Sequence, residues 1–191
     1  MPTGQNYSPV LSGKWTENEF YASWQNCLIT AITARASNPT FPAGQNYQPV
    51  LSGKWTDNEF LASIQNLTQF YITAKAFAPT QKLSVLDRQL VLAGRYTDNQ
   101  FLASIQQCLA SFVPSLTTVP SSAIYQPTPS GLGWTNNDYL TSTQNLMILW
   151  AAGLSLTLPS GQNYAAVTQG KWTENQLLAS IQNIMVIIAT Q

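Results

Sequence analysis

Histidine is absent from this chain, and charge is scarce: 8 basic and 8 acidic residues among 191 cancel to zero net charge. At 8% the charged fraction lies far below the roughly 25% of an average soluble protein. Without a basic excess, nothing draws the chain to nucleic acid or an anionic membrane surface. Cysteine is nearly absent too. Cys27 and Cys108 do not form a pair at ligand spacing, so with no histidine a metal site finds little support. No glycine-rich phosphate loop occurs. Long apolar runs are missing: the two best, 146–156 and 184–189, fall short of the roughly 20 residues that span a bilayer. Residues 1–13 hold neither a basic region nor an apolar run, so no secretion signal is expected and the protein is expected to be made in the cytoplasm.

What is present is 45% hydrophobic residues, enough for a core, and a polar complement dominated by Asn, Gln, Ser and Thr. Zero net charge favours self-association. One phrase recurs. Residues 4–16 read GQNYSPVLSGKWT, 44–56 read GQNYQPVLSGKWT and 161–173 read GQNYAAVTQGKWT. Degenerate copies occupy 87–97, DRQLVLAGRYT, and 125–135, YQPTPSGLGWT, the latter with one extra residue beside Gly133. The aromatic before the threonine falls at Trp15, Trp55, Tyr96, Trp134 and Trp172. A fixed period near forty residues marks tandem repeats. The reading is one repeat domain over 1–191, with units at about 4–43, 44–80, 81–119, 120–160 and 161–191.

Each phrase ends on a threonine that opens a helix: Thr16, Thr56, Thr97, Thr135 and Thr173. Three residues later stand Glu19, Glu59, Gln100, Asp138 and Gln176. Threonine followed by Glu or Gln at that distance is a capping box; the shorter Asp138 is expected to close its box less well. Counting from the threonine as zero, apolar residues recur at +4, +5, +8, +11 and +15, a stripe about 120° wide on a helix. Helices are expected to stop near Ala36, Ala78, Phe112, Gly153 and Ala189, with Pro39, Pro79 and Pro114 forbidding continuation. The segments before them carry Pro9, Pro49, Pro127 and Pro129, which suit extended chain or an edge strand, and Gly13, Gly53 and Gly170, which supply a turn. Such linkers, extended, reach roughly 60 Å, while a 20-residue helix is about 30 Å long. Successive helices can therefore lie parallel, in a solenoid or a closed ring; sequence alone leaves antiparallel pairing open. The fold class is mainly α.

The residues able to do chemistry have structural duties. Seven of the eight acids, Glu17, Glu19, Asp57, Glu59, Asp98, Asp138 and Glu174, fall in helix first turns, where they complement the dipole; Asp87 is left over. Lys14, Lys54, Arg95 and Lys171 share one position before the aromatic. Cys27 and Cys108 both sit at +11, where the other copies place Leu67, Leu146 and Ile184, so each is expected in the core. Neither catalytic residues, a cofactor nor a metal is expected. Two polar series remain. Asn18, Asn58, Asn99, Asn137 and Asn175 stand at +2, and Gln25, Gln65, Gln106, Gln144 and Gln182 at +9, on one flank of the helix with a small residue between them at +6. The structural reading has them bond the linker backbone; the alternative is a repeated ligand site for a sugar, with the Trp residues stacking. Directly before a cap, Trp is more often a staple packing on +4.

The last copy ends in a helix that is apolar almost all round, and no further copy follows it. Ile184, Met185, Val186, Ile187 and Ile188 are thus a candidate assembly interface, since open solenoids need polar end caps. A closed ring in which the fifth helix meets the first would leave no such edge.

Scarce charge, abundant Asn, Gln and Thr, tandem units and no secretion signal together resemble structural proteins of tailed-phage virions, of the tail, fibre-attachment or capsid-decoration type. The resemblance spans the whole chain in composition and organisation. It implies a non-enzymatic structural or assembly protein, made in the cytoplasm, incorporated into a virion and partnered by other structural proteins or by itself as a homo-oligomer. A carbohydrate- or receptor-binding module built on the repeated Trp, Tyr and Asn/Gln is the alternative.

Overall fold

The computed structural model describes residues 4, 7–35, 41, 47–74 and 91–190. Among these residues lie five α-helices and no strand: α1 (Glu17–Arg35), α2 (Asp57–Ala74), α3 (Asp98–Phe112), α4 (Asn136–Gly153) and α5 (Glu174–Thr190). Short 3-10 turns occupy Val113–Ser115, Ala123–Tyr125 and Gln162–Tyr164. The chain is mainly helical.

Each helix begins at its threonine. Thr97 Oγ1 accepts from the Gln100 amide while the Gln100 side chain accepts from the Thr97 amide. The same reciprocal pair forms at Thr16 and Glu19, Thr56 and Glu59, and Thr173 and Gln176. Thr135 and Asp138 close theirs equally well, at 2.8 and 3.3 Å, against the expectation drawn from the shorter side chain. The first turn sets residues three apart on one face, so the missing methylene is absorbed. Ahead of four of the five caps the aromatic packs on +4: Trp15 on Phe20, Trp55 on Phe60, Tyr96 on Phe101 and Trp134 on Tyr139, with ring centroids 5.2–5.4 Å apart.

The helix ends follow the sequence at Phe112 and Gly153; α5 runs one residue past Ala189 to Thr190. Pro114 lies in the 3-10 turn that ends α3. Ala36, Ala78, Pro39, Pro79 and Asp87 lie outside the described residues. The linkers are less extended than expected, since 3-10 turns interrupt them at Ala123–Tyr125 and Gln162–Tyr164. Just before the helix, Gly53 takes φ 75°, which a Cβ would strain, and lets the Lys54 amide reach Leu51 O at 3.3 Å.

The helices close into a ring. Each packs on its chain neighbours, and α5 packs on α1 as well as α4. Contacts between neighbours run at matching heights, +2 to the next cap and +9 to the next +7, so all five helices point the same way. Closure removes the edge expected at the chain's end. Ile184, Met185 and Ile188 are fully buried, Val186 nearly so, and Ile187 half-buried. With α1 on one side and α4 on the other, an all-round apolar helix is what the position needs, and that segment is core rather than an assembly interface.

Side chains fill the axis. Tyr71, Phe112 and Trp150, from α2, α3 and α4, stand within 5.2–5.8 Å of one another in one layer. Trp24, Ile64, Ile105, Thr143 and Ile181 form the +8 layer, all buried. Cys27 and Cys108 are both buried. Burial pushes the Cys27 thiol up to about 12.

Candidate functional site

The polar flank side chains lie in the seams between helices. Gln25, Gln65, Gln106, Gln144 and Gln182, each completely buried, donate through Nε2 to Ser63, Ser104, Ser142, Ser180 and Ser23 of the next helix at 2.9–3.1 Å. The fifth bond, from Gln182 back to Ser23, closes a belt around the ring. Four of these glutamines also donate to linker carbonyls: Gln25 to Gln48 O, Gln106 to Gln126 O, Gln144 to Ala165 O and Gln182 to Ser8 O. Backbone carbonyls outside helices take such donors in place of water.

The +2 asparagines do the same work at the N-terminal end. Asn18 donates to Trp55 O and Asp57 Oδ1 and accepts from the Gly53 amide at 2.8 Å. Asn58 repeats this with Tyr96 O, Asp98 and Gly94, and Asn175 bonds Trp15 O and Gly13. Asn99 donates to Trp134 O and Asn136. Asn137 is half-buried in the first turn of α4.

Two series escaped the sequence reading: serine at +7, and the amide at +10. Asn26, Asn66, Asn145 and Asn183 donate to Val50 O, Val91 O, Val167 O and Val10 O at 2.8–3.0 Å. Their in-phase recurrence was the available signal. Because the +9 glutamines are buried and engaged, they offer no surface to a ligand. The cap-preceding Trp residues are half-buried against +4.

At the N-terminal end, charge gathers about the axis. Tyr21, largely buried, donates to Glu174 Oε1 at 3.2 Å. Burial first, then the Glu174 carboxylate and Asp57 and Asp98, raise the Tyr21 hydroxyl well above its ordinary value. Glu174 is itself raised, chiefly by burial and next by Glu17, while the Tyr21 hydrogen bond acts the other way. Since Asp98 lies on α3, two helices from α1, these first-turn side chains share one mouth of the ring. Among the described residues no three His, Cys, Asp or Glu side chains gather closely enough to hold a metal ion, and no helix is long and apolar enough to cross a membrane.

Outside that mouth runs an apolar rim. Leu11, Leu51, Leu92 and Leu132 are each 66–68% exposed. Three open the turns that precede the helices, and Leu132 lies in the loop before α4. Asn175, Asn18 and Asn58 pin the turns after Leu11, Leu51 and Leu92 to the N-terminal end. Lys14, Lys54, Arg95 and Lys171 stand exposed beside them.

No family model, no curated protein and no solved structure matches this chain.

Proposed function

We propose that this chain is a non-enzymatic structural subunit, organised as five tandem units of linker and capped helix, that assembles through the N-terminal rim of its ring. The observation that carries the reading is the rim itself: four leucines two-thirds exposed at one end of the ring, while the other large apolar side chains among the described residues are packed. Single exposed leucines are ordinary, but a phased set marks a contact surface.

The occupant is a second copy, face to face. The seven first-turn carboxylates at this end are offset by the four rim cations and by five helix N-termini worth about half a charge each. The face is then close to neutral, and like faces do not repel. Burying each leucine contributes about 1.5–3 kcal/mol, and eight of them meet in a pair, against an association cost of about 4–15 kcal/mol. The compositional resemblance to tailed-phage structural proteins points to a virion as the setting, where the same rim meets other structural proteins.

Sedimentation equilibrium tests the reading. The wild type should associate, and a variant with Leu11, Leu51, Leu92 and Leu132 all changed to Ser should be monomeric with unchanged helical circular dichroism. A wild type that stays monomeric at high micromolar concentration, with no particle containing it, overturns the proposal.

A further inference from the structure

At the N-terminal end of the ring the same turn precedes four of the helices. Leu11 O, Leu51 O, Leu92 O and Thr168 O each accept from the amide three residues on, at 3.2–3.3 Å. The turns before α1, α2 and α3 thereby present an exposed leucine, and the turn before α5 presents Thr168 in its place, also exposed. Leu132 stands exposed in the loop before α4. Around the ring the rim thus carries leucine ahead of α1, α2, α3 and α4, and threonine ahead of α5.

That single break in the leucine series selects how two rims meet. A face-to-face pair of identical surfaces is isologous: each site that touches a second site on the partner is touched by that second site in return. The twofold axis lies across the ring, sets one sector against its own copy and exchanges the other four in pairs. With the axis at the α5 sector, Thr168 meets the partner's Thr168, Leu11 meets the partner's Leu132, and Leu51 meets the partner's Leu92. All eight leucines of the pair then lie against leucine, and hydroxyl faces hydroxyl. An axis at any other sector sets two leucines against threonine, whose hydroxyl sheds water beside a group that cannot bond it. Charge acts in the same sense. α4 opens on Asn136, with no cation in the loop before it, whereas the other helices open on Glu17, Asp57, Asp98 and Glu174. An axis at α4 would set every acidic sector against another, while the axis at α5 sets the α1 sector of each copy against a neutral α4 sector. We propose, resting on the assembly reading above, that two copies pair through the rim in this one register, with the α5 sector on the twofold axis.

Single cysteines on the exposed rim of the full chain test the register, read as covalent dimer after mild oxidation against a wild-type control whose Cys27 and Cys108 are buried. A disulfide closes only where the two Cα atoms come within about 7 Å, so Thr168→Cys should dimerise roughly tenfold faster than Leu51→Cys or Leu92→Cys. An equal mixture of the Leu51→Cys and Leu92→Cys proteins, one of them carrying a size tag, should form the mixed disulfide roughly tenfold faster than either protein joins to itself. All three positions are exposed, and helical circular dichroism should stay at the wild-type level. Equal rates for the three single variants, or a mixed disulfide no faster than the self-joined ones, would overturn the register and leave the assembly reading standing. Wild-type protein that sediments as a monomer at high micromolar concentration would overturn both.

Discussion

Gln182 Nε2 lies 2.9 Å from Ser23 Oγ, joining the last helix to the first across 159 residues of chain. Its four counterparts join consecutive helices at the same height and nearly the same distance. The seam between the chain's two ends is therefore chemically the same as the seams inside it.

Equivalence of the seams is measurable. Gln182→Leu removes the hydrogen bonds to the Ser8 carbonyl and the Ser23 hydroxyl, and Gln25→Leu removes those to Gln48 O and Ser63. A hydrogen bond lost in this way costs about 0.5–1.5 kcal/mol. Urea unfolding should show similar losses for the two variants. A Gln182→Leu protein as stable as wild type, beside a damaged Gln25→Leu, would mean that the ring is open in solution.

Thr143 occupies the buried +8 layer with its hydroxyl unpartnered, where Ile64, Ile105 and Ile181 stand on α2, α3 and α5. Thr143→Val keeps the shape and removes the stranded group. Stability should rise by about 1–3 kcal/mol, read as a higher urea midpoint with an unchanged slope. A fall in the midpoint would show that the hydroxyl has a partner in solution.

The Cys27 and Cys108 thiols are buried, and Cys27 titrates near 12. The thiolate is the reactive form, so native protein at pH 8 should resist alkylation by iodoacetamide, while urea-unfolded protein should take up two labels. Mass spectrometry that finds Cys27 labelled within minutes in native protein would contradict the packing.

Glu174 holds its proton more tightly in the fold than when unfolded. A raised carboxyl pKa favours the folded state at low pH, and this advantage is lost as pH rises through the unfolded and then the folded value. Glu174→Gln removes the charge that burial and Glu17 disfavour. It should raise the melting temperature at pH 7, and the gain should vanish well below the ordinary value of 4.5. An equal gain at pH 3 and pH 7 would exclude ionisation as its cause.

The helices were legible because their signals are local. A threonine and an acid or amide three residues on specify a start, a 3.6-residue apolar stripe specifies a face, and a cysteine in a leucine slot specifies a buried thiol; none of these depends on a distant residue. The linkers were legible only in part, since prolines announce extended chain but do not show where a short 3-10 turn pays better. Ring closure was beyond the sequence. Whether the fifth helix ends at an exposed edge or against the first depends on the rotation between successive helices. That angle is set by how small serines at +7 and bulky axial rings such as Trp150 and Tyr71 interlock across several copies at once. The same apolar segment, 184–188, reads as an interface on an open array and as core in a closed one. Only the packed structure places α1 beside it, and with that placement the candidate surface moves from the end of the chain to its leucine rim.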